Sequence, residues 1–293
     1  MTIVTLPQYA LLHFSGSDAQ SFLHGQLTCD VQALKAGHSS YGGYCTPKGR
    51  LLATFLLWAD DTGYTMLLPA SLAEAIRKRL SMYILRARVK ADILDNAVIG
   101  VFGADAALDI ANLGGTKPAS LHGVNTSANV RTIMLPHDRC LLVLPSPGAA
   151  GIRAAAPGDW ESLDIAAGIP FIVPGTQEQF VPQMVNLDLI GALSYSKGCY
   201  PGQEIVARTH YLGKLKQRMF RAKLAAPAAA GDKLYCNELG DQSAGMVVTA
   251  AAAGTGREVL AVLQTAYVRS SRYHLGNLQG PQLDLLSLPY AVT

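Results

Sequence analysis

Unusual chemistry is concentrated in one stretch of the sequence, which places a thiol, Cys199, among glycines that include Gly198 and Gly202. Glycine adopts backbone angles that other residues avoid, so the stretch is predicted to form a tight loop with its amides and the sulfur facing outward. Lys197 before the thiol and Arg208 after it can favour the thiolate, the nucleophilic and metal-binding form of cysteine. Cys199 is therefore a candidate reactive residue; the alternative is a small buried cysteine in a Gly-rich turn.

The composition indicates a folded protein of more than one domain. Of the 293 residues, 49% are hydrophobic and 15% are charged, which excludes a disordered chain. The length also favours several packed units, because a single core rarely grows beyond roughly 250 residues. The net charge of +3 permits an anionic ligand, but it does not resemble that of a dedicated nucleic-acid binder.

Cysteine usage and the first residues exclude further classes of protein. The five cysteines form an odd set with no C-x-x-C spacing, so no disulfide scaffold, zinc ribbon or other metal site is predicted. The first residues lack the basic start and apolar core of a secretion signal, and no apolar run reaches the roughly 18 residues of a membrane span. We therefore expect a cytoplasmic protein with no membrane partner.

Periodic patterns predict an α+β protein of three domains, at residues 1–91, 92–212 and 213–293. The first two domains are predicted to contain strands at 8–14, 41–45, 51–58, 97–102, 129–135 and 139–144, and helices at 18–25, from Ser71 and at 105–113. In the third, short strands at 233–236, 243–249 and 258–263 predict a small antiparallel barrel.

The segment that leads to the Cys199 loop is predicted to be irregular. Trp160 follows a Gly-Asp turn and precedes a short helix that ends at Gly168. Residues 171–196 then contain prolines and a glycine that prevent one regular element. Ordered loops of that length in compact domains are usually functional.

Basic residues cluster in two places. Three cations lie on the helix after Ser71, and three more alternate with apolar residues over 86–91, as on a strand with one basic face; they are Arg77, Lys78, Arg79, Arg86, Arg88 and Lys90. A second cluster covers Lys214–Lys223. We interpret the first cluster as a solvated rim, with an anionic partner as the alternative.

The stretch around Cys199 also carries a resemblance to a known family. Residues 197–208 read Lys-Gly-Cys-Tyr-x-Gly-Gln-Glu-x-Val-Ala-Arg, a run that includes Tyr200, Gln203 and Glu204. This run resembles the signature of the YgfZ-type folate-binding proteins, relatives of the glycine cleavage T-protein that support iron–sulfur enzymes. Further similar stretches lie at 16–30, 47–50, 167–170, 182–187 and 288–290.

The resemblance implies a glycine cleavage T-protein-like fold, in which two α+β domains and a C-terminal antiparallel β-barrel surround a central channel. That channel would hold tetrahydrofolate or another reduced folate. Tyr9 and Trp160 fall where the family places aromatic residues at the folate site. Glu178, Gln183 and Asn186 lie on the irregular segment and are candidates for polar contacts to the folate.

One difference from the T-proteins bears on activity. Those aminomethyltransferases carry acidic residues in the stretch that matches 51–55, where this chain has Ala53 and Thr54. They also carry an acidic residue at the position of Cys199. Without a carboxylate to act as general base on the folate amine, we do not expect glycine-cleavage chemistry.

The leading hypothesis is a folate-binding accessory protein that uses Cys199 to support assembly or repair of iron–sulfur clusters. Its partners would be iron–sulfur proteins or cluster-assembly factors, including enzymes that modify tRNA. One alternative is a folate-dependent aminomethyl or one-carbon transferase. The other is a tRNA-binding regulatory protein that uses the Arg77–Lys90 and Lys214–Lys223 clusters.

Overall fold

A computed structural model describes residues 2–146, 157–213, 215–254 and 256–292 of the chain. The described strands are β1 (Thr2–Thr5), β2 (Tyr9–Ser15), β3 (Ser39–Cys45), β4 (Leu51–Asp60), β5 (Gly63–Pro69), β6 (Lys90–Leu94), β7 (Asn96–Phe102), β8 (Val124–Ser127), β9 (Val130–Leu135), β10 (Arg139–Pro145), β11 (Gln217–Leu224), β12 (Lys233–Tyr235), β13 (Gly245–Ala253), β14 (Gly256–Gln264), β15 (His274–Leu275) and β16 (Leu283–Leu286). The helices are α1 (Ala19–His24), α2 (Ala70–Ser81), α3 (Ala106–Asn112), α4 (Pro157–Ala166) and α5 (Gln203–Leu212).

The first sheet has the strand order β3-β4-β5-β2-β6. Strand β4 carries eight consecutive buried residues, as expected of a central strand that is covered on both faces. Helix α2 packs against β2, β5 and β6. Its buried residues include Leu72, Ile76 and Leu80, which recur at steps of four and form one apolar stripe.

The second sheet has the order β1-β7-β10-β9-β8 and takes its first strand from the N-terminus. Ile99 and Val101 of β7 pack on one face with Ile110 of α3. Side chains alternate along a strand, so a side chain at Gly100, which lies between these two residues in sequence, would point to the other face of the sheet. A Cβ at Gly100 would lie 2.3 Å from the Cε3 atom of Trp160, so the indole packs directly on the strand backbone.

The third sheet has the order β15-β12-β13-β14-β11-β16 and forms the predicted C-terminal barrel-like unit. A bridge between His274 of β15 and Gln282, just before β16, brings the two edge strands together, so the sheet curls on itself. Its buried core includes Leu234, Val259 and Tyr273.

Residues group into two compact units by their contacts. One unit runs to Gly42 and continues over Phe55–Trp160, and the other comprises Gly43–Thr54 and the chain from Glu161 onward. The predicted three-way division at 91 and 212 stays a prediction. None of the helices in the described ranges is long and apolar enough to cross a membrane.

Three local predictions were wrong. Residues 86–89 do not form a strand, because Leu85 turns the chain at φ 43° and the Asp18 carboxylate accepts a hydrogen bond from the Arg88 amide at 2.8 Å. Trp160 lies inside α4, not after a turn. The second half of the predicted Cys199 loop is helix α5, because only its N-cap, Gly202, needs a left-handed conformation and the residues that follow tolerate a helix.

Candidate functional site

Cys199 lies on an exposed loop directly before α5. The other four cysteines of the chain are buried, so Cys199 is the one thiol that solvent can reach. Burial raises the pKa of Cys45 to about 12 and that of Cys140 to about 11, which keeps both thiols protonated at neutral pH. The candidate reactive residue is therefore the accessible one, and the alternative of a buried structural cysteine is wrong.

The loop is fixed by a backbone-to-backbone contact with the turn between β3 and β4. Gly202 has φ 83°, and a Cβ there would lie 2.5 Å from the Thr46 carbonyl oxygen and 2.6 Å from the Gly49 Cα. The turn itself is closed by a 2.8 Å hydrogen bond from the Thr46 amide to the Arg50 carbonyl. The stretch around Cys199 and the stretch at 47–50, both of which are similar to the YgfZ-type family, thus touch each other at a place where no side chain fits.

Lys197 and Tyr200 form the buried side of the loop. The Lys197 side chain is 8% exposed, and its Nζ lies 4.9 Å from the centre of the Tyr200 ring, which is cation–π distance. Burial, followed by the nearby Cys45 and Tyr195, raises the pKa of Tyr200, so the ring stays neutral. The side-chain amide of Gln203 donates to the Lys197 carbonyl at 3.4 Å and closes the loop onto the helix.

Helix α5 presents the remaining signature residues to solvent. Glu204 and Arg208 are both exposed, and Gly198 is exposed beside the thiol. Glu204 lies in the first turn, where the partial positive charge of a helix N-terminus favours a carboxylate. Val206 on the opposite face is fully buried and anchors the helix.

The irregular segment before the loop runs along the start of β4. The Glu178 amide donates to the Leu51 carbonyl, and the Leu51 amide donates to the Phe180 carbonyl, both at 2.8 Å. Glu178 itself has φ 60° and an exposed side chain. Segment and strand are thereby held in register, which explains how residues without regular structure stay ordered.

Thr54 makes hydrogen bonds to the start of the same irregular segment. Its hydroxyl donates to the Pro170 carbonyl at 2.8 Å and accepts from the Ile172 amide at 2.9 Å. Thr54 is 2% exposed and its neighbour Ala53 is fully buried. The Thr54 hydroxyl is therefore used in hydrogen bonds that stabilise the fold.

Gln183 and Asn186 brace the segment against α5 and β11. The Gln183 amide nitrogen donates to the Val206 carbonyl at 2.7 Å, and its buried side chain also interacts with the Tyr195 hydroxyl. Asn186 has φ 60° and uses both ends of its amide on the backbone of Met219. Both amide side chains thus serve contacts inside the protein.

Tyr9 and Trp160, the predicted aromatic contacts of the folate, differ in exposure. Tyr9 begins β2 and is half-buried. Trp160 is 1% exposed, with the Arg139 guanidinium 4.4 Å from its ring centre and Gly100 beneath it. The folate-contact assignments of all five residues stay predictions.

Sequence reasoning missed a cluster of three aromatic rings beside the loop. The rings of Tyr195 and His210 stack with their centres 3.8 Å apart and an interplanar angle of 17°. Tyr211 meets the edge of His210, with ring centres 4.7 Å apart. The only sequence signal was the pair His210-Tyr211 shortly after Arg208, and it gains meaning only once α5 is known to be a helix.

Most cations of the two basic clusters are paired with carboxylates. In the first cluster four cations lie within 4 Å of an acidic side chain: Arg77 and Lys78 near Glu74, Arg88 near Asp18, and Lys90 near Asp92. In the second, Arg218 binds Asp188 with two hydrogen bonds, at 2.7 and 2.9 Å, and Arg221 binds Glu258. Lys214 lies outside the described residues. The positive field of either cluster is therefore weaker than its sequence suggests.

Across the described ranges, no group of three or more His, Cys, Asp or Glu side chains is arranged to hold a metal ion. Cys199 is thus the only cysteine of the chain that is both free and exposed, and it has no such ligand set around it. Its chemistry is that of a single thiol.

Comparison with known proteins identifies relatives along the whole chain. No family model matches it. The tRNA-modifying protein YgfZ of Sodalis glossinidius (strain morsitans) is 30% identical, over 100% of this chain and 94% of the relative, and that of Edwardsiella ictaluri (strain 93-146) is 31% identical, over 99% and 93%. The protein of the same name from Vibrio vulnificus (strain YJ016) is 33% identical, over 78% and 72%.

One solved structure confirms the predicted fold. The glycine cleavage system aminomethyltransferase T from Bartonella henselae superposes with a TM-score of 0.81, covering 98% of this chain and 85% of that one. Its sequence identity is 18%, so the likeness concerns the fold. The expected T-protein-like architecture is therefore correct.

Thiol titration tests the accessibility of Cys199. At pH 8 a chromogenic disulfide reagent is expected to modify one thiol rapidly in the native protein and five after denaturation, because the other four are buried. Cys199→Ser should remove the fast phase. Fast modification of two or more thiols in the native protein would contradict the assignment.

Urea unfolding tests the contact between the loop and the β3–β4 turn. Gly202→Ala should be destabilising by more than Gly191→Ala, since both positions have positive φ but a Cβ at Gly191 meets nothing within 4 Å. The control isolates the backbone strain of about 1 kcal/mol, and the clash should add about 1–3 kcal/mol. Equal losses in the free energy of unfolding would show that the contact does not stabilise the loop.

Proposed function

The chain belongs to the family of the tRNA-modifying protein YgfZ, and on that basis we propose that it is a folate-binding accessory protein for iron–sulfur enzymes. It supports assembly or repair of their clusters, including those of enzymes that modify tRNA. The observation that carries the proposal is the exposed thiol of Cys199 on a loop held by Gly202.

The exposed position of Cys199 suits a large partner better than a small substrate. A thiol on the surface, with no enclosing pocket described around it, can be reached by another protein. Iron–sulfur clusters are commonly held by four cysteine thiolates, so one thiol cannot retain a cluster alone. Cys199 therefore acts on clusters only together with ligands of a partner, in a complex that is transient. A free thiol of this kind persists in the reducing cytoplasm.

Reduced folate is the proposed cofactor. A pterin needs an aromatic face and hydrogen-bonding groups for its edge. Among the predicted contacts, half-buried Tyr9 is the proposed aromatic face, and Glu178, whose side chain is exposed, is the proposed acceptor. Trp160 and Asn186, the other two predicted contacts, are already packed or hydrogen-bonded within the protein. When bound, the folate supplies a reduced pterin that can carry one-carbon units.

A transferase of the aminomethyl type is less well supported. The fold is shared with an aminomethyltransferase, but Ala53 and Thr54 are buried. The Thr54 hydroxyl makes its hydrogen bonds to backbone groups. No carboxylate at these positions can serve as a general base. We therefore assign folate a binding or regulatory role and not that of a substrate in glycine cleavage.

Complementation tests the role of the thiol. In a strain that lacks the protein, Cys199→Ser is expected to leave the activity of iron–sulfur enzymes and the level of thiolated tRNA near those of the empty strain. A double variant, Ser196→Cys with Cys199→Ser, keeps one exposed thiol three residues away and should also fail. Full rescue by Cys199→Ser would contradict the proposed function.

Calorimetric titration tests the folate. Tetrahydrofolate should bind the purified protein at one site, and Tyr9→Ala should weaken binding about 2-fold to 10-fold, the range expected for one aromatic contact. Tyr83→Ala, which removes a 44% exposed tyrosine near the end of α2, is the matched control and should have no effect. Absence of binding heat with the wild type, confirmed by equilibrium dialysis, would refute the cofactor assignment.

A further inference from the structure

The aromatic cluster beside Cys199 is a surface feature, not part of a core. Tyr211 is 68% exposed, His210 is exposed, and the ring of Tyr195 lies against His210 from the irregular segment. The Tyr195 hydroxyl is buried, and burial together with the Asp188 carboxylate raises its pKa to about 12. One ring is thus anchored inside the protein while the other two extend from it into solvent.

Packing does not require this arrangement. The buried contact of α5 is made by Val206, which is fully inaccessible, whereas Tyr211 is 68% exposed. Large apolar side chains exposed together are uncommon on soluble proteins and usually mark an interaction surface. The outer side of α5 therefore presents flat aromatic area that no part of the described chain covers.

Two exposed cations without an acidic partner in the described part of the chain lie on or next to α5. Arg208 lies on α5 one turn before Tyr211, and Lys48 lies beside Gly49, whose added Cβ would approach Ile205 to 3.0 Å. Neither cation has a carboxylate within 4 Å among the described residues, unlike most cations of the two basic clusters. Glu204 is the one acidic residue of the helix.

We propose that this surface, formed by Tyr195, His210, Tyr211, Arg208 and Lys48, binds unpaired nucleotides of RNA by stacking bases on the rings and pairing phosphates with the two cations. Exposed aromatic rings interleaved with unpaired cations are what single-stranded nucleic acid requires, because every base has a stacking face and every nucleotide a charge. A protein partner would match the apolar area equally well, but it would not require the two free cations.

The surface lies close enough to the thiol for one RNA to reach both. Tyr211 is eight residues beyond Gln203, the first residue of α5, which corresponds to about 12 Å along the helix, and Cys199 is four residues before Gln203. The inference deepens the proposed function in one respect: given the tRNA-modifying relatives, the RNA would be an unpaired loop of tRNA. Nucleotide binding itself does not depend on the thiol.

Fluorescence anisotropy with a labelled, unstructured RNA dodecamer at low salt provides the test. Tyr211→Ala should raise the Kd about tenfold, in line with the loss of one stacked base. Arg208→Gln should lower the slope of log K against log salt by about 0.7, the value for one phosphate contact on a single strand. A duplex RNA of the same length should bind more weakly than the dodecamer, because its bases are already stacked on one another.

Matched controls come from the other compact unit. Tyr83→Ala removes an exposed tyrosine and Arg86→Gln an exposed arginine, and both should leave the Kd and the salt slope unchanged. Cys199→Ser should bind RNA like the wild type, so RNA binding and thiol function can fail separately. Equal effects of Tyr211→Ala and Tyr83→Ala would overturn the proposal. So would variants that bind RNA normally but lose activity on iron–sulfur enzymes, since the surface would then bind protein.

Discussion

The reactive loop depends on a contact in which the backbones of two segments touch without a side chain between them. Gly202 lies against Thr46 and Gly49 of the β3–β4 turn, and its left-handed conformation leaves no room for a Cβ. This contact fixes the N-terminus of α5, since Gly202 is the residue from which the helix starts. The position of the helix, on which Tyr211 is exposed, follows from that start.

Hydrogen bonds around the loop use polar groups that would otherwise be available for chemistry. Thr54, Asn186 and Arg218 all serve the backbone or a carboxylate in the interior. A buried polar group without a partner is unfavourable, so such pairing is expected in a stable fold. The groups that stay available are therefore few, and the exposed thiol is the most reactive of them.

Ion pairing has a similar consequence for binding of anions. Arginines of β11 are held by Asp188 and Glu258, and four of the six cations of the first cluster lie beside acidic side chains. An arginine held by a carboxylate contributes little to a long-range field, whereas Lys48 and Arg208 keep their full charge. The pairing of each cation, which the sequence does not show, therefore decides how strongly that cation can attract a phosphate.

Several features follow from the sequence alone. Alternation and helical spacing predicted most strands and helices, and the residues around Cys199 pointed to the family and its fold. Local patterns of this kind depend on side-chain periodicity and backbone preferences, which act within a few residues. The prediction of a loop over the whole of 197–208 was wrong because two glycines were read as a turn, although only Gly202 needs a positive φ.

Tertiary structure decided what depends on contacts between residues far apart in sequence. Three examples are the burial of four cysteines, the hydrogen bond from the Thr54 hydroxyl to the Pro170 carbonyl and the stacking of Tyr195 on His210. Each is set by where the chain folds back on itself. The same holds for Trp160, whose place over Gly100 and beside Arg139 has no local signal. The sequence by itself determined the family, the fold and the candidate thiol. Only the folded chain decided that this thiol is exposed and that aromatic rings lie beside it, because exposure is a property of all surrounding residues together.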